Sequence, residues 1–450
     1  MPGDRRRLRA GGCCRHPVRE GRGAGCPGPR PRRADRGAPG GQESSRRMTA
    51  RGSGDISDGI PDIRGLLSAL SGEQPRMEEM LGRFVRIESP TDDPEATARM
   101  GDEAVAALSD AARRLLDGAS VSRVSGTGAG TPRGPHVLVR VPGAMAREKP
   151  LLLLGHLDTV WAHGTLDEIP FRIEDGVARG PGVYDMKAGL VQTIWALRVL
   201  DRHGLRPRRP LTILWNTDEE AGSAASREFI EAEASEAAAC LVMEPSLPGG
   251  GAKTGRRGVG ILSVRVRGRA AHAGLDPERG INAITELAGV VTAAAALSAP
   301  ERGVTVNVGL IRGGSRTNVV PAEASADVDI RMDDPESGER LIRALRELGA
   351  EHPEAEVHWT GGVNRPALVR NAGVARLYER ARRLAGALDW EIGEGSAGGG
   401  SDGNIVAGLG VPVLDGLGPL GDGAHARHEQ VVTADLPRRA ALLAALLLEL

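Results

Sequence analysis

Residues 151–160 read LLLLGHLDTV, an apolar run that ends in glycine, histidine and aspartate. Four consecutive leucines are typical of a central β-strand that is buried on both faces. His156 and Asp158 therefore follow directly on the carboxyl end of this strand. Because ligands bind at that edge of open α/β sheets, the stretch predicts both the sheet and the position of a functional site.

Alternating strand and helix patterns surround this stretch. Further short apolar strand patterns fall at 136–142, 211–216, 240–243 and 411–414, and helical patterns fall at 75–87, 96–117, 186–204 and 223–238. This alternation predicts an α/β fold with a mostly parallel sheet.

The pattern changes near Gly255, where ILSVRVRGR alternates apolar and polar residues, as in a sheet with one solvated face. The order strand, helix, strand, strand, helix then predicts a small inserted α+β domain of the ferredoxin-like kind. Glycine and proline clusters at 248–251 and 361–366 mark its two ends. We therefore expect a catalytic domain in two parts, at 71–254 and 364–450, around an insert at 255–363.

The amino-terminal segment differs from the rest in composition. Residues 1–47 contain 13 arginines and 4 acidic residues and show no apolar periodicity, so we expect residues 1–70 to be a disordered basic leader. This leader is either an arm that binds nucleic acid or directs targeting, or an extension that precedes a start at Met48. The formal net charge of −1 over the whole chain favours neither a nucleic-acid nor a membrane partner.

Cysteine usage and hydropathy bear on the location of the protein. The four cysteines show neither the spacing of a zinc site nor that of a disulfide framework. The sequence contains no apolar stretch of the kind that marks a secretory signal or a membrane span. We therefore expect a cytoplasmic protein.

Metal-ligand residue types follow several of the predicted strands. Glu219 and Glu220 lie in NTDEEAG just past one strand, Glu244 lies in MEPS past another, and His425 follows the last strand in GAH. Asp185, in GPGVYDMK, stands before a long helix. Taken singly, these are also typical of acidic turns, helix caps and buried histidines. Together with His156 they provide nitrogen and oxygen ligands without thiolate, which suits two divalent ions such as Zn²⁺.

The motifs HLDTV, GPGVYDMKAG, NTDEEAGS, MEPS, RAAHAG and GAH occur in an order that resembles the M20 metallopeptidases, over about residues 75–450. The connecting text is most similar to the glutamate-carboxypeptidase branch of that family. This resemblance implies a mostly parallel-sheet zinc-peptidase catalytic domain, an inserted lid and dimerisation domain, a homodimer, and two Zn²⁺, with Co²⁺ or Mn²⁺ as alternatives.

The resemblance also implies roles for individual residues. The expected metal ligands are His156, Asp185, Glu220, Glu244 and His425. Asp185 bridges the two ions, Asp158 orients His156, and Glu219 is the general base. The peptide bond after Asp185 tends to be cis in the family. A shift of the late motif by three residues would make His428 the ligand in place of His425.

A second set of residues is expected to contact the substrate. His272 resembles the family histidine that stabilises the oxyanion, usually from the partner subunit. Asn318 and Arg331 match positions that contact the substrate carboxylate in the family, and Arg365 is a third candidate. An arginine fork pairs with a carboxylate through two hydrogen bonds. Gly399, in the loop AGGGSD, resembles the glycine-rich substrate loop, where bare backbone permits close approach of a ligand.

The expected activity is hydrolysis of an amide or peptide bond next to a free carboxylate, as in a glutamate carboxypeptidase. The substrate would be a small molecule or a short peptide. Alternatives within the family are deacylation of N-acyl amino acids and dipeptide cleavage. An alternative of another class is a non-catalytic amino-acid-binding homologue, which would normally lack a metal ligand or the base.

Overall fold

The computed structural model describes residues 62–126 and 132–450. The helices are α1 (Ile63–Ser71), α2 (Gln74–Val85), α3 (Pro94–Ala111), α4 (Thr165–Glu168), α5 (Ala188–Arg202), α6 (Arg227–Glu236), α7 (Ala283–Ala296), α8 (Pro335–Arg346), α9 (Ala372–Gly386), α10 (Asp402–Gly408) and α11 (Leu436–Glu449). The strands are β1 (Ser120–Val124), β2 (His136–Val141), β3 (Leu151–His156), β4 (Arg172–Glu174), β5 (Val177–Arg179), β6 (Leu211–Asn216), β7 (Ala239–Val242), β8 (Ala252–Arg256), β9 (Gly258–Arg267), β10 (Val304–Gly313), β11 (Glu323–Met332), β12 (Glu356–Arg365), β13 (Glu394–Ala397), β14 (Val413–Leu414), β15 (Gly421–Asp422) and β16 (Gln430–Val432).

The central sheet has the strand order β1-β2-β6-β3-β7-β14. Strands β6, β3, β7 and β14 run parallel, and β2 and β1 add antiparallel strands at one side. Every residue of β3 is buried, as its run of leucines predicts. The expected α/β fold with a mostly parallel sheet is confirmed.

The insert contains a second sheet, which is antiparallel and has the strand order β10-β11-β9-β12. Helices α7 and α8 pack on one face of it through apolar side chains, among them Leu287 and Leu345. The chain order is β9, α7, β10, β11, α8, β12, which is the βαββαβ pattern of ferredoxin-like domains.

Strand β12 was missing from the sequence interpretation, which placed a loop at its carboxyl half. Residues 361–366 contain glycine and proline, and these residues usually mark turns. Here Gly361 has a φ of +85°, and a Cβ at this position would lie 2.2 Å from the carbonyl oxygen of Ile261 on β9. The glycine thus permits close approach of two strands, and the sheet of the insert continues to Arg365.

The amino-terminal boundary also differs from the expectation of a disordered leader over residues 1–70. Residues 63–71 form helix α1, which is capped by the Asp62 side chain and buries Ile63, Leu66 and Leu70 against the main core. The apolar spacing i, i+3, i+7 of these side chains explains the helix. The remainder of the predicted leader, residues 1–61, lies outside the described residues.

In the described part of the chain, none of the helices combines the length and the apolar character that crossing a membrane requires.

Candidate active site

The carboxyl ends of the parallel strands bring the predicted ligands together. His156 is the last residue of β3, Glu219 and Glu220 follow β6, and Glu244 lies two residues beyond β7. Asp185 arrives from the turn that precedes α5. Since these strands are parallel neighbours, their loops emerge at one edge of the sheet, and the site forms there.

Two histidines lie on either side of Asp185. The Nε2 atom of His156 is 3.1 Å from Asp185 Oδ1 and 3.5 Å from Glu244 Oε1. The Nε2 atom of His425 is 3.4 Å from Asp185 Oδ2 and 3.1 Å from Glu220 Oε2. The two oxygens of one carboxylate therefore face two separate groups of donors, as a bridging ligand requires.

These donors fit divalent ions. His156, Glu219 and Glu244 offer one ligand atom each within 4.8 Å of one another, and so do His156, Asp185 and Glu220. Carboxylates gathered this closely repel one another unless cations lie between them. Imidazole and carboxylate donors without sulfur are a set that Zn²⁺, Co²⁺ and Mn²⁺ all accept.

The structure distinguishes the two candidate histidines of the late motif. His425 points at Glu220 and Asp185, whereas the side chain of His428 is 66% exposed and its nearest acidic partner is Asp422, at 3.8 Å. His425 has a φ of +61°, which turns its side chain back toward the cluster. The geometry thus favours the unshifted motif.

Asp158 contacts His156 through two of its groups. His156 Nδ1 lies 2.9 Å from the backbone carbonyl oxygen of Asp158 and 3.5 Å from its carboxylate. The carboxylate also accepts hydrogen bonds from the Thr91 hydroxyl at 2.8 Å and from the backbone N–H of Glu220 at 3.1 Å. The backbone carbonyl therefore fixes the imidazole with Nε2 toward the cluster, while the carboxylate holds the loop that carries Glu219 and Glu220.

The turn that carries Asp185 is unusual in two respects. The Asp185–Met186 peptide bond is cis, as the resemblance predicts. The backbone N–H groups of Gly182, Tyr184 and Asp185 all donate to the carboxylate of Glu429. Glu429 was not identified from the sequence, in which it stands out only as an acidic residue four positions after His425.

We expected Arg365 to bind a substrate carboxylate, but its guanidinium group is hydrogen-bonded to the protein. Its Nη2 atom donates to Glu219 Oε1 at 2.5 Å, to the backbone oxygen of Glu219 at 3.0 Å and to Asp402 Oδ1 at 3.3 Å. The residue is only 5% exposed. In this structure Arg365 therefore holds the candidate base, and Asp402, in turn, accepts hydrogen bonds from Ser223 and Asn216.

A second buried arginine, Arg256, was also missed. It donates to both carboxylate oxygens of Asp415, at 2.7 and 2.9 Å, and to Glu244 Oε2 at 3.1 Å. It further donates to the carbonyl oxygens of Gly399 and Gly400, at 3.1 and 3.2 Å. Arg256 thus ties a candidate metal ligand to the glycine-rich loop, and the carbonyl of Gly399 is bound to protein.

Three residues of the insert, His272, Asn318 and Arg331, were expected to contact the substrate. His272 accepts hydrogen bonds on Nδ1 from the backbone of Gly274 and Leu275, and the carbonyl oxygen of Asn318 accepts from Ala273. Arg331 makes a two-pronged pair with Asp329, at 2.8 Å for each bond. Among the described residues, the hydrogen bonds of these three stay within the insert.

Burial and mutual contact shift the protonation of the cluster. Burial raises the pKa of Glu219, although the charge of Arg365 opposes this shift, and burial raises the pKa of Glu220. Hydrogen bonds to Asp185 and Glu220 raise the pKa of His425 to about 10. A cation among these groups would favour the unprotonated histidine and the ionised carboxylates.

Comparison with known proteins agrees with this geometry. Residues 152–449 match the sequence model of Peptidase family M20/M25/M40, which is more than half of the chain. The protein belongs to this family. Carboxypeptidase G2 of Pseudomonas sp. (strain RS-16) is 32% identical over 390 residues, which make up 86% of this chain and 92% of that relative. The succinyl-diaminopimelate desuccinylase of Methylorubrum populi is 30% identical over 369 residues, covering 75% of this chain and 91% of that enzyme.

Solved structures share the fold of this M20 protein. Aminopeptidase PepT from Bacillus cereus superposes with a TM-score of 0.67 at 23% identity, covering 84% of this chain and 98% of that one. The metallo-carboxypeptidase Sso-CP2 from Sulfolobus solfataricus gives a TM-score of 0.63 at 16% identity, covering 83% of this chain and 98% of that one. The expectation of a carboxypeptidase-like M20 hydrolase is confirmed, and members of the family use divalent metals.

The contacts of Arg365 lead to a prediction that separates two roles for this residue, which are holding Glu219 and binding a substrate carboxylate. Arg365→Lys keeps the charge but replaces the planar guanidinium, whose Nη2 atom contacts both Glu219 and Asp402, with an ammonium group. We expect kcat to fall about tenfold or more, as for a lost charge-assisted hydrogen bond, with little change in KM. Steady-state kinetics on the best substrate measures both constants.

Arg370→Lys is the matched control, because Arg370 also pairs with a glutamate, Glu394, but on the surface. Its kinetics should equal those of the unmodified enzyme. A rise in KM with unchanged kcat in Arg365→Lys would instead assign Arg365 to binding of the substrate carboxylate.

Proposed function

We propose that this M20 enzyme is a dinuclear zinc hydrolase that cleaves an amide bond next to a free carboxylate, in the manner of a glutamate carboxypeptidase. The observation that carries the proposal is Asp185, whose two oxygens face His156 and His425 separately. The similarity to Carboxypeptidase G2 over 92% of that enzyme supports the carboxypeptidase branch.

The donors divide into two groups in this proposal. His156 and Glu244 would hold one ion, Glu220 and His425 would hold the other, and Asp185 would serve both. When bound, two divalent ions activate a water molecule and polarise the carbonyl group of the scissile amide. The ends of β3, β6 and β7 in the central sheet position three of these donors, His156, Glu220 and Glu244.

Glu219 is the proposed general base. It lies near the proposed ligand Glu244 and is bonded to Arg365, and burial raises the pKa of its carboxyl group. A general base must lie within reach of the water that it deprotonates. In the reaction, the Glu219 carboxylate would take a proton from the attacking water. It would then deliver this proton to the nitrogen of the leaving amine, which departs as the C–N bond breaks.

Removal and return of metal provide the first test. Metal-stripped protein should hydrolyse none of a panel of folate-type glutamates, N-acetyl amino acids and dipeptides, and two equivalents of Zn²⁺ should restore turnover because both ions are needed. The rate on each member measures the preference. Turnover in metal-free protein would contradict the metal mechanism.

A second candidate, hydrolysis of N-acyl amino acids, is favoured by the 30% identity to succinyl-diaminopimelate desuccinylases. Adding N-succinyl amino acids to the panel separates it from the first candidate. Preference for them over folate-type glutamates would move the assignment to the deacylase branch.

Glu219→Gln tests the base. The amide cannot accept a proton, so kcat should fall by about 10²–10⁴-fold. Zinc uptake, measured by equilibrium dialysis, should remain at two ions, because the five proposed ligands are unchanged. Glu73→Gln, in a glutamate that pairs with Arg76 and Arg202 away from the cluster, should leave turnover intact. Retained turnover in Glu219→Gln would show that Glu219 is not the general base.

The homodimer belongs to the same proposal. His272 lies in the insert and bonds within its own loop, so it needs either closure of the insert or a second subunit to reach the cluster. Strand β10 forms an edge of the insert sheet and exposes Leu310 and Ile311, by 53% and 57%. An exposed apolar edge strand is suited to pairing with a second copy.

Mixing two inactive variants tests whether His272 acts across the dimer. We expect His272→Ala and Glu219→Gln each to lose turnover, since an oxyanion donor contributes ~2.7–4 kcal/mol to the transition state. If His272 acts in the partner's site, subunit exchange should restore about one quarter of the activity by random pairing. Exchange is followed by size-exclusion chromatography with one variant tagged. No recovery from confirmed mixed dimers would place His272 in its own subunit's site.

A further inference from the structure

Glu429 is a buried carboxylate that lies beside the cluster without belonging to the ligand set. It is 2% exposed, and its two oxygens accept four hydrogen bonds. Oε1 accepts from the backbone N–H groups of Tyr184 at 2.8 Å and Asp185 at 3.0 Å. Oε2 accepts from the backbone N–H of Gly182 at 2.8 Å and the indole N–H of Trp161 at 2.7 Å. With two donors on each oxygen, the carboxylate binds the protein itself and is not placed to ligate an ion.

The three backbone donors form a concave anion-binding turn. Gly182 has a φ of +71°, and a Cβ there would lie 2.5 Å from Thr159 Cγ2, so the turn requires glycine. Neighbouring N–H groups that converge in this way attract an anion. In this protein the anion is supplied by the chain, from a residue more than 240 positions away.

Strand pairing fixes Glu429 at this place. Strand β16 runs antiparallel to β5, with Gln430 opposite Arg179. The backbone of Glu429 therefore adjoins Gly180, whose N–H donates to its carbonyl oxygen at 3.4 Å. This pairing places the Glu429 side chain over the turn that follows β5. The contact is therefore fixed by strand pairing as well as by the hydrogen bonds of the side chain.

One carboxylate thus connects three loops, each of which carries a proposed metal ligand. Trp161 lies five residues after His156, the turn contains Asp185 itself, and Glu429 lies four residues after His425. A bridging ligand must present both oxygens at fixed angles. A small rotation of the Asp185 backbone would move one oxygen away from its donors.

We infer that Glu429 is a positioning residue of the metal centre. By binding the N–H groups of Gly182, Tyr184 and Asp185, it holds the Asp185 carboxylate between His156 and His425 and so sets the affinity for the second ion. This inference rests on the proposed dinuclear function.

Glu429→Gln tests the inference, because the amide places an NH₂ group against N–H donors while keeping the shape of the side chain. Zn²⁺ alone is titrated into the metal-stripped full chain by calorimetry. The weaker of the two zinc affinities should fall by about 10–100-fold, the usual effect of losing an outer partner of a metal ligand. In the metal-free protein, amide hydrogen exchange at residues 182–185 should become faster. Glu429→Asp, which keeps the charge, should recover part of the affinity.

Two further variants control for a general loss of structure. Glu73→Gln changes a hydrogen-bonded glutamate far along the chain and should alter neither measurement. Trp161→Phe removes one of the four donors, so it should weaken zinc binding less than Glu429→Gln does. If Glu429→Gln does not fold, Trp161→Phe and Glu429→Asp carry the comparison.

The outcomes separate this inference from the proposed function. Wild-type zinc affinity together with wild-type exchange in the Glu429 and Trp161 variants would overturn the positioning role. An unmodified protein that does not take up two ions would contradict the dinuclear proposal instead. In that case exchange at residues 182–185 still decides whether Glu429 holds the turn.

Discussion

Electrostatic repulsion among clustered acidic side chains is the constraint on which this site depends. Asp185, Glu219, Glu220 and Glu244 gather at the ends of strands that are fixed by a leucine-rich core, and such a group is stable only with compensating positive charge. Two histidines face the carboxylates directly, while Arg256 and Arg365 neutralise their outer sides. The clustered nitrogen and oxygen donors suit divalent ions, which would relieve the remaining repulsion.

Much of the fold, and the clustering of the proposed ligands at one edge of the sheet, could be predicted from sequence for identifiable reasons. The leucine run that forms β3 leaves few alternatives to a buried strand, and His156 directly follows it. Glycine-rich motifs flank Asp185 and His425, and their order along the chain is informative even without coordinates. Strand β12 was missed because a glycine that permits close strand contact has the same local pattern as a glycine in a turn.

The supporting residues could not be predicted, because their roles arise only from tertiary contacts. Arg256, Asp402 and Glu429 have no local signal that separates them from surface charges, yet each is 5% exposed or less. Arg365 was singled out as a substrate ligand, but its partners Glu219 and Asp402 come from distant loops. Sequence patterns identify ligand types at strand ends, whereas charge compensation depends on which loops meet in space.

The end of β12 at Arg365 has a mechanical consequence. The same strand that completes the insert sheet carries the guanidinium that grips Glu219, and the neighbouring Asn364 donates to the carbonyl oxygen of Gly222 at 3.3 Å. Hydrogen bonds from two adjacent residues at the end of β12 therefore join the insert directly to the loop that carries Glu219. A rotation of the insert about this point would move Arg365 relative to Glu219, so the orientation of the insert would bear on the position of the proposed base.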